Sequence, residues 1–351
     1  MSWRVQAAQA QAALDRTFWD EAAGLYRTHE GRPAGDPLHY WWQAHALDAL
    51  LDAHARGGDT HLRRARTLVA GVRRAQGGTL HNEFYDDMLW MALALERLHA
   101  ATGEGVWLDG CRALWTDIRQ GWNPAQGGGV AWRRTQPEYK NTPANAPAAL
   151  LGARLFRRHG DPADLAFARR VWDWLLDTLV DPHSGVVWDG VNRRGDGATD
   201  LDWAYTYNEG TVIGAGTELW RATGETPFLE QARRTARAAA GRYGPVFPAE
   251  GPGDGGLFKG ILARYLSLLA RHDPALAPEV RALLEAGAGA ALRHLSPGGL
   301  SGPDWGAAPA GALELGAALS GVTLLGSLAA LEAGSPAGTL RPGAPAEHTG
   351  S

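Results

Sequence analysis

The sequence predicts an all-helical fold of paired helices closed into a ring, and three observations lead there. Helical periodicity recurs along the 351 residues, while strand-like alternation is nearly absent. A short turn of constant chemistry returns: Gly57-Gly58-Asp59, Thr102-Gly103-Glu104, His159-Gly160-Asp161-Pro162, Thr223-Gly224-Glu225 and His272-Asp273-Pro274. Each pairs a helix-stopping glycine or polar residue with an acid or proline suited to the next helix start. Third, the helices flanking these turns alternate in character. After the turn they are amphipathic: Trp107, Cys111, Leu114, Trp115 and Ile118 share one face, as do Leu165, Ala168, Trp172, Leu175, Leu176 and Leu179. Before it they are apolar on nearly every side, as in Met88 to Leu95, Ala146 to Ala153, Val212 to Ala215 and Leu315 to Leu325.

A helix apolar all round must be buried all round. Alternation of such helices with one-sided ones describes an inner ring wrapped by an outer one. Taken in order, the helices are expected near 2–16, 40–56, 60–75, 86–101, 105–120, 142–158, 162–179, 204–222, 226–241, 257–271, 275–294 and 309–333. Six hairpins closing on themselves make an (α/α)6 barrel. An open solenoid would show more uniform repeats. Residues 1–333 read as one domain, and 334–351, rich in Gly, Pro, Ala and Ser, as a disordered tail.

The connections opposite the short turns are long: 31–39, 77–85, 122–139, 181–203, 244–257 and 296–308. All lead into an inner helix, so all gather on one rim, where a site is expected. They carry Trp122, Trp132, Trp188, Trp203, Trp305, Tyr139 and Phe247 among glycines and acids. Aromatic planes between polar groups suit sugar rings, whose C–H faces pack on aromatics while their hydroxyls take hydrogen bonds. The same residues would also serve simply to fill a barrel mouth.

Composition narrows the partners. A net charge of −4 offers no basic field for nucleic acid. The lone Cys111, on the buried face of its helix, excludes an internal disulfide and a multi-cysteine metal site. The 12 His show no paired metal spacing, so no metal or cofactor is expected. No stretch approaches the roughly 18 apolar residues of a membrane span, and Ser2, Trp3, Arg4 and Gln6 do not open a secretory signal. A cytoplasmic monomer acting on an oligo- or polysaccharide is the expectation.

The chemistry is expected at Asp86 and Asp87, where a rim loop becomes an inner helix. Glycoside hydrolysis commonly uses two carboxyl groups, one protonating the leaving oxygen and one acting as nucleophile or base. Two like charges this close push one pKa up, while the helix N-terminus favours the other's charge. An Asp at a helix start is also the ordinary N-cap, and spacing alone favours that reading.

Around this pair the chain resembles glycoside hydrolase family 76, the α-1,6-mannanases and α-mannosidases. The resemblance rests on Tyr85-Asp86-Asp87 with Trp90; Gly128-Gly129-Val130-Ala131-Trp132-Arg133; Lys140-Asn141-Thr142 with Asn145; Tyr205-Thr206-Tyr207-Asn208 with Gly210; and Phe258-Lys259-Gly260 with Arg264. Trp41-Trp42 and Asp304-Trp305 are weaker echoes. The motifs run in the family's order over roughly residues 15–330. The resemblance implies a retaining hydrolysis of α-1,6-mannosidic bonds, with Asp86 as nucleophile and Asp87 as acid/base. It implies substrate contacts from Trp42, Trp132, Asn141, Asn145, Tyr205, Tyr207, Asn208, Lys259 and Trp305. Asn141 and Asn145 would equally serve as helix cap and loop tie, and Lys259 and Arg264 as salt-bridge partners. Glu209 departs from the Gln expected there. Two other readings remain: a barrel epimerase or unsaturated-uronide hydrolase, the former needing a His pair that no motif here supplies, and a non-catalytic carbohydrate-binding protein.

Overall fold

The computed structural model describes residues 1–33, 38–58 and 60–334. The sequence-predicted tail beyond Gly334, part of the first rim loop and Asp59 of the first turn lie outside the described residues. The helices follow in outer–inner pairs: α1 (Trp3–Phe18) and α2 (Tyr40–Arg56), α3 (Thr60–Ala75) and α4 (Tyr85–Thr102), α5 (Gly105–Gln120) and α6 (Thr142–His159). They continue with α7 (Pro162–Leu179) and α8 (Thr206–Thr223), α9 (Thr226–Tyr243) and α10 (Gly255–His272), α11 (Ala277–Arg293) and α12 (Leu315–Glu332).

Each even-numbered helix packs on the next, and α12 returns onto α2, so the inner ring is closed. That closure decides for the barrel over the open solenoid. The odd-numbered helices pack outside: α1 on α12, α3 on α2, α5 on α4, α7 on α6, α9 on α8 and α11 on α10. On α5 only Cys111, Leu114, Trp115 and Ile118 are buried, the face its periodicity marks. All twelve helices contribute to one contiguous apolar core. Helix α12 is long and apolar enough to cross a membrane, contrary to the expectation that no stretch would be, yet 89% of it is buried inside the barrel. Its apolarity reflects its place in the inner ring.

Gly103, Gly160 and Gly224 end their helices in the left-handed region, Gly103 at φ 71° with its N–H donating to His99. Helix α12 starts at Leu315 rather than near 309. Before it, Glu314 bridges to His29 as extended backbone, and its carboxylate accepts the N–H of Gly253 at 2.6 Å, which holds the chain out of the helix. The inner ring is tight. A Cβ on Gly260 of α10 would lie 2.7 Å from the Cα of Ser320 on α12. Gly260→Ala is therefore expected to cost about 1–3 kcal/mol, read as a lowered urea midpoint with an unchanged m-value.

Beyond the helices are two small ribbons. Strands β1 (Trp19–Asp20) and β2 (Leu25–Tyr26) pair antiparallel, and β3 (Ala131–Arg133), β4 (Gln136–Asn141) and β5 (Gly190–Val191) form an antiparallel sheet on the rim. Strands of two to six residues carry too little alternation to be read beforehand. Along the inner helices toward their C-terminal ends, Asp52 pairs with Arg97 at 2.5 Å and Arg264 at 2.8 Å. Cations belong where helix C-termini converge, so Arg264 is a structural ion-pair partner.

Candidate active site

Strand β3 sets the geometry of the acid pair. Phe84, the N-cap of α4, makes no side-chain cap bond and bridges to Arg133 of β3. That bridge brings Trp132 over the first turn of α4, where its indole N–H donates to Oδ2 of Asp86 at 3.0 Å. Oδ1 of Asp86 accepts the backbone N–H of Asp87 at 3.0 Å. Asp87 instead receives the Asn82 amide at 2.9 Å, and Asn82 is itself fixed by accepting the N–H of Phe84 at 3.0 Å. Neither aspartate occupies the N-cap position, so ordinary capping does not account for the pair.

Burial raises the pKa of both carboxyls, and the two differ in what opposes it. On Asp86 the N–H groups of Asp87 and Trp132 work against burial. On Asp87 burial is reinforced by the charges of Asp86 and then Asp254, and only Asn82 opposes. Asp87 therefore holds its proton to higher pH than Asp86. In the pH interval between their two titrations one side chain is a carboxylate and its neighbour a carboxylic acid, the division that acid-assisted displacement at a sugar carbon requires.

The pair opens into a cleft of about 950 Å³ at the rim. Trp41, Trp90, Phe258, Tyr205 and Tyr207 make its aromatic side, with Tyr207 stacked on Phe258 at 4.0 Å and 9°. Facing Asp86 lies Asp189, 4% exposed, which accepts from Tyr207 Oη at 2.7 Å, Tyr139 Oη at 3.1 Å and Arg193 at 2.6 Å. Arg193 in turn lies 3.6 Å over Trp203, tying the loop before α8 to this corner.

Of the sequence-predicted site residues, Asp86, Asp87, Trp132, Asn141, Tyr205 and Tyr207 line the cleft. Asn141 is also the N-cap of α6, accepting the N–H of Ala144 at 3.3 Å. Five others do not line it. Trp42, 1% exposed, stacks on His39 inside the wall at 4.2 Å, and its neighbour Trp41 faces the cleft instead. Asn145 clamps the glycine-rich loop by bonding both the N–H (2.7 Å) and C=O (2.9 Å) of Val130, so it positions β3. Asn208 is fully buried behind Asp189, 3.4 Å from its Oδ1. The Lys259 ammonium joins two rim loops, donating to the carbonyls of Pro248 and Pro303, with burial lowering its pKa to about 8. Trp305 is the buried ring beneath that ammonium, 4.8 Å away. Glu209 also lies outside the cleft, where it accepts from Tyr243 Oη at 3.1 Å and burial raises its pKa to about 7.

Asn82, Asp189 and Asp254 were missed. Trp188-Asp189-Gly190 held a usable signal, an acid between an aromatic and a glycine in a long rim loop. On α2, Trp41, His45, Asp48 and Asp52 fall at helical spacing on one face, a stripe that includes Trp41 and not Trp42.

Comparison with known proteins gives the family. The sequence profile of glycosyl hydrolase family 76 matches residues 2–337. The mannan endo-1,6-α-mannosidase DCW1 of Candida glabrata is 26% identical over 296 residues, which take in 75% of this chain and 65% of that relative. The chain thus spans slightly less than two thirds of the relative's length. The solved GH76A α-1,6-mannanase of Salegentibacter sp. HEL1_6 is 36% identical with a TM-score of 0.90, covering 94% of this chain and 100% of that one. An inactive variant of the same mannanase, two consecutive aspartates replaced by asparagines, holds α-1,6-mannotriose; it is 35% identical with a TM-score of 0.90 and the same coverage. A match over nearly the whole chain, joined to the same barrel, settles the assignment: the chain belongs to glycosyl hydrolase family 76.

Proposed function

We infer that this protein hydrolyses α-1,6-linked mannan with net retention, Asp86 acting as nucleophile and Asp87 as acid/base. The observation that carries the reading is the unequal pair itself, one carboxyl held as an acceptor by two N–H donors and its neighbour kept protonated. Asp86-Asp87 is the one place in the sequence where two aspartates are consecutive. The loss of activity in the Salegentibacter variant with two consecutive aspartates replaced supports a catalytic role for such a pair.

In the first step Asp87 protonates the glycosidic oxygen while Asp86 attacks the anomeric carbon, releasing the distal sugar and leaving a glycosyl ester on Asp86. In the second, Asp87 takes a proton from water, the water oxygen attacks the same carbon, and Asp86 departs as carboxylate. Two inversions give the α-anomer. Incubation with linear α-1,6-mannan, followed by ¹H NMR in the first minutes, is expected to show the α-anomer of the new reducing end before mutarotation. The β-anomer first would mean inversion, and no new reducing ends would remove mannan as substrate.

Trp132 tunes the nucleophile. Trp132→Phe removes an N–H that favours ionised Asp86, so the Asp86 pKa rises further and the acidic limb of the kcat/KM profile moves to higher pH. Loss of a bond to a charged group is expected to cost roughly tenfold in limiting kcat/KM. An unmoved acidic limb would show that the indole does not act on Asp86.

A further inference from the structure

The two sides of the acid pair are built differently. Asp86 is bonded to Trp132 and faces the Asp189 corner. Beyond Asp87 lie the start of α2 and the loop before α10. There the Trp41 indole N–H donates to Oδ1 of Asp254 at 3.0 Å, linking positions 213 residues apart across the mouth. Both residues line the cleft, Asp254 exposed and Trp41 half-buried. Asp254 is the N-cap of α10, yet its side chain makes no cap bond. Among the described residues its Oδ2 accepts no hydrogen bond. Phe258, one turn into α10, lies 6.2 Å from Trp41 with the rings 30° apart, so packing and the Asp254 bond together fix the indole plane. Neither Trp41 nor Asp254 makes a bond or moves a proton in the catalytic steps, though the Asp254 charge adds to burial and Asp86 in raising the Asp87 pKa.

A fixed aromatic plane with an available carboxylate at its edge fits a sugar, the ring packing on the plane and the hydroxyls donating to the carboxylate. The proton donor must lie beside the departing oxygen, so the released sugar lies on the Asp87 side of the pair. The charge of Asp254 acts on Asp87, whereas Asp189 is the acid acting on Asp86. Resting on the reading of Asp87 as proton donor, we propose that Trp41 and Asp254 hold the sugar released on cleavage, its C–H face on the indole and its hydroxyls donating to the Asp254 carboxylate. Asp254 is then a specificity residue for a sugar leaving group.

The test compares α-1,6-mannotetraose with phenyl α-1,6-mannotrioside. Both need the proton from Asp87, because phenol is a poor leaving group, but phenol has no ring hydroxyls for Asp254 to bind. Asp254→Ala is expected to lower the pH-independent kcat/KM roughly tenfold or more on the tetraose and less than about threefold on the phenyl glycoside. Asp254→Asn, nearly isosteric and still able to accept from Trp41, should show the same selectivity in smaller measure, and covers the case in which the alanine variant does not fold. Equal losses on the two substrates, or no loss on the tetraose, overturn the assignment while leaving the mannanase reading intact. A wild type that cleaves neither substrate overturns that reading and this one with it.

Discussion

Asp86→Asn is expected to abolish turnover of α-1,6-mannan, with kcat falling on the order of 10⁴-fold or more, while the protein stays folded. The amide cannot attack the anomeric carbon, yet its oxygen still accepts the Asp87 N–H that Asp86 takes at 3.0 Å. Stability moves the other way. Because burial raises the Asp86 pKa in the folded state, the folded protein keeps a proton that the unfolded chain has already released. That contribution is full below the ordinary carboxylate range and is lost as pH rises through the folded value. Above it a buried charge must be carried, and a neutral Asn removes that cost. The variant should therefore melt no lower than wild type at pH 8, by circular dichroism. A capping residue would do the reverse, losing about 1 kcal/mol of stability with activity intact. An active Asp86→Asn would end the nucleophile assignment.

Asp87→Ala is expected to reveal itself through the leaving group. General-acid assistance is worth about 10²–10⁴-fold, so mannan hydrolysis should fall by that amount. A 2,4-dinitrophenyl α-1,6-mannotrioside needs no proton to depart and should still load Asp86, giving a burst of dinitrophenol followed by slow turnover. Azide needs no base and should restore turnover, yielding the α-glycosyl azide because the nucleophile is still present. The pH profile carries a second signature. On the proposed mechanism wild type acts with Asp86 ionised and Asp87 protonated, and burial with the charges of Asp86 and Asp254 raises the Asp87 pKa. The alkaline limb of kcat/KM is thus the loss of the Asp87 proton, and it should vanish in Asp87→Ala. Azide rescue of the Asp86 variant with inverted product would exchange the two roles.

The candidate site was only partly legible before the structure, and the residues explain why. Asp86, Asp87, Trp132, Tyr205 and Tyr207 stand at or just before inner-helix N-termini, or in a glycine-rich rim loop, so local pattern alone puts them at the mouth. Trp42, Asn145, Asn208, Lys259 and Trp305 stand in the same motifs but turn into the wall, where they stack, clamp or bridge loops. A motif reports that its residues are needed together and not which of them meets the ligand. Asp189 and Asp254 owe their places to partners farther along the chain: Asp189 to Tyr139 and Tyr207, and Asp254 to Trp41.

By itself the sequence determined the helices, their inner or outer place, and the rim on which the long loops gather. Those properties follow from hydrophobic periodicity and turn chemistry, which act over a few residues and are written locally. Tertiary structure decided the rest. Ring closure, expected from the irregular loops, is made by α12 meeting α2, a contact between the ends of the chain. The difference between Asp86 and Asp87 depends on the Trp132 indole reaching one carboxyl, while burial and the neighbouring Asp86 charge hold the proton on the other. Two adjacent residues of one type are alike in sequence, and the groups folded around them make one give up its proton before the other.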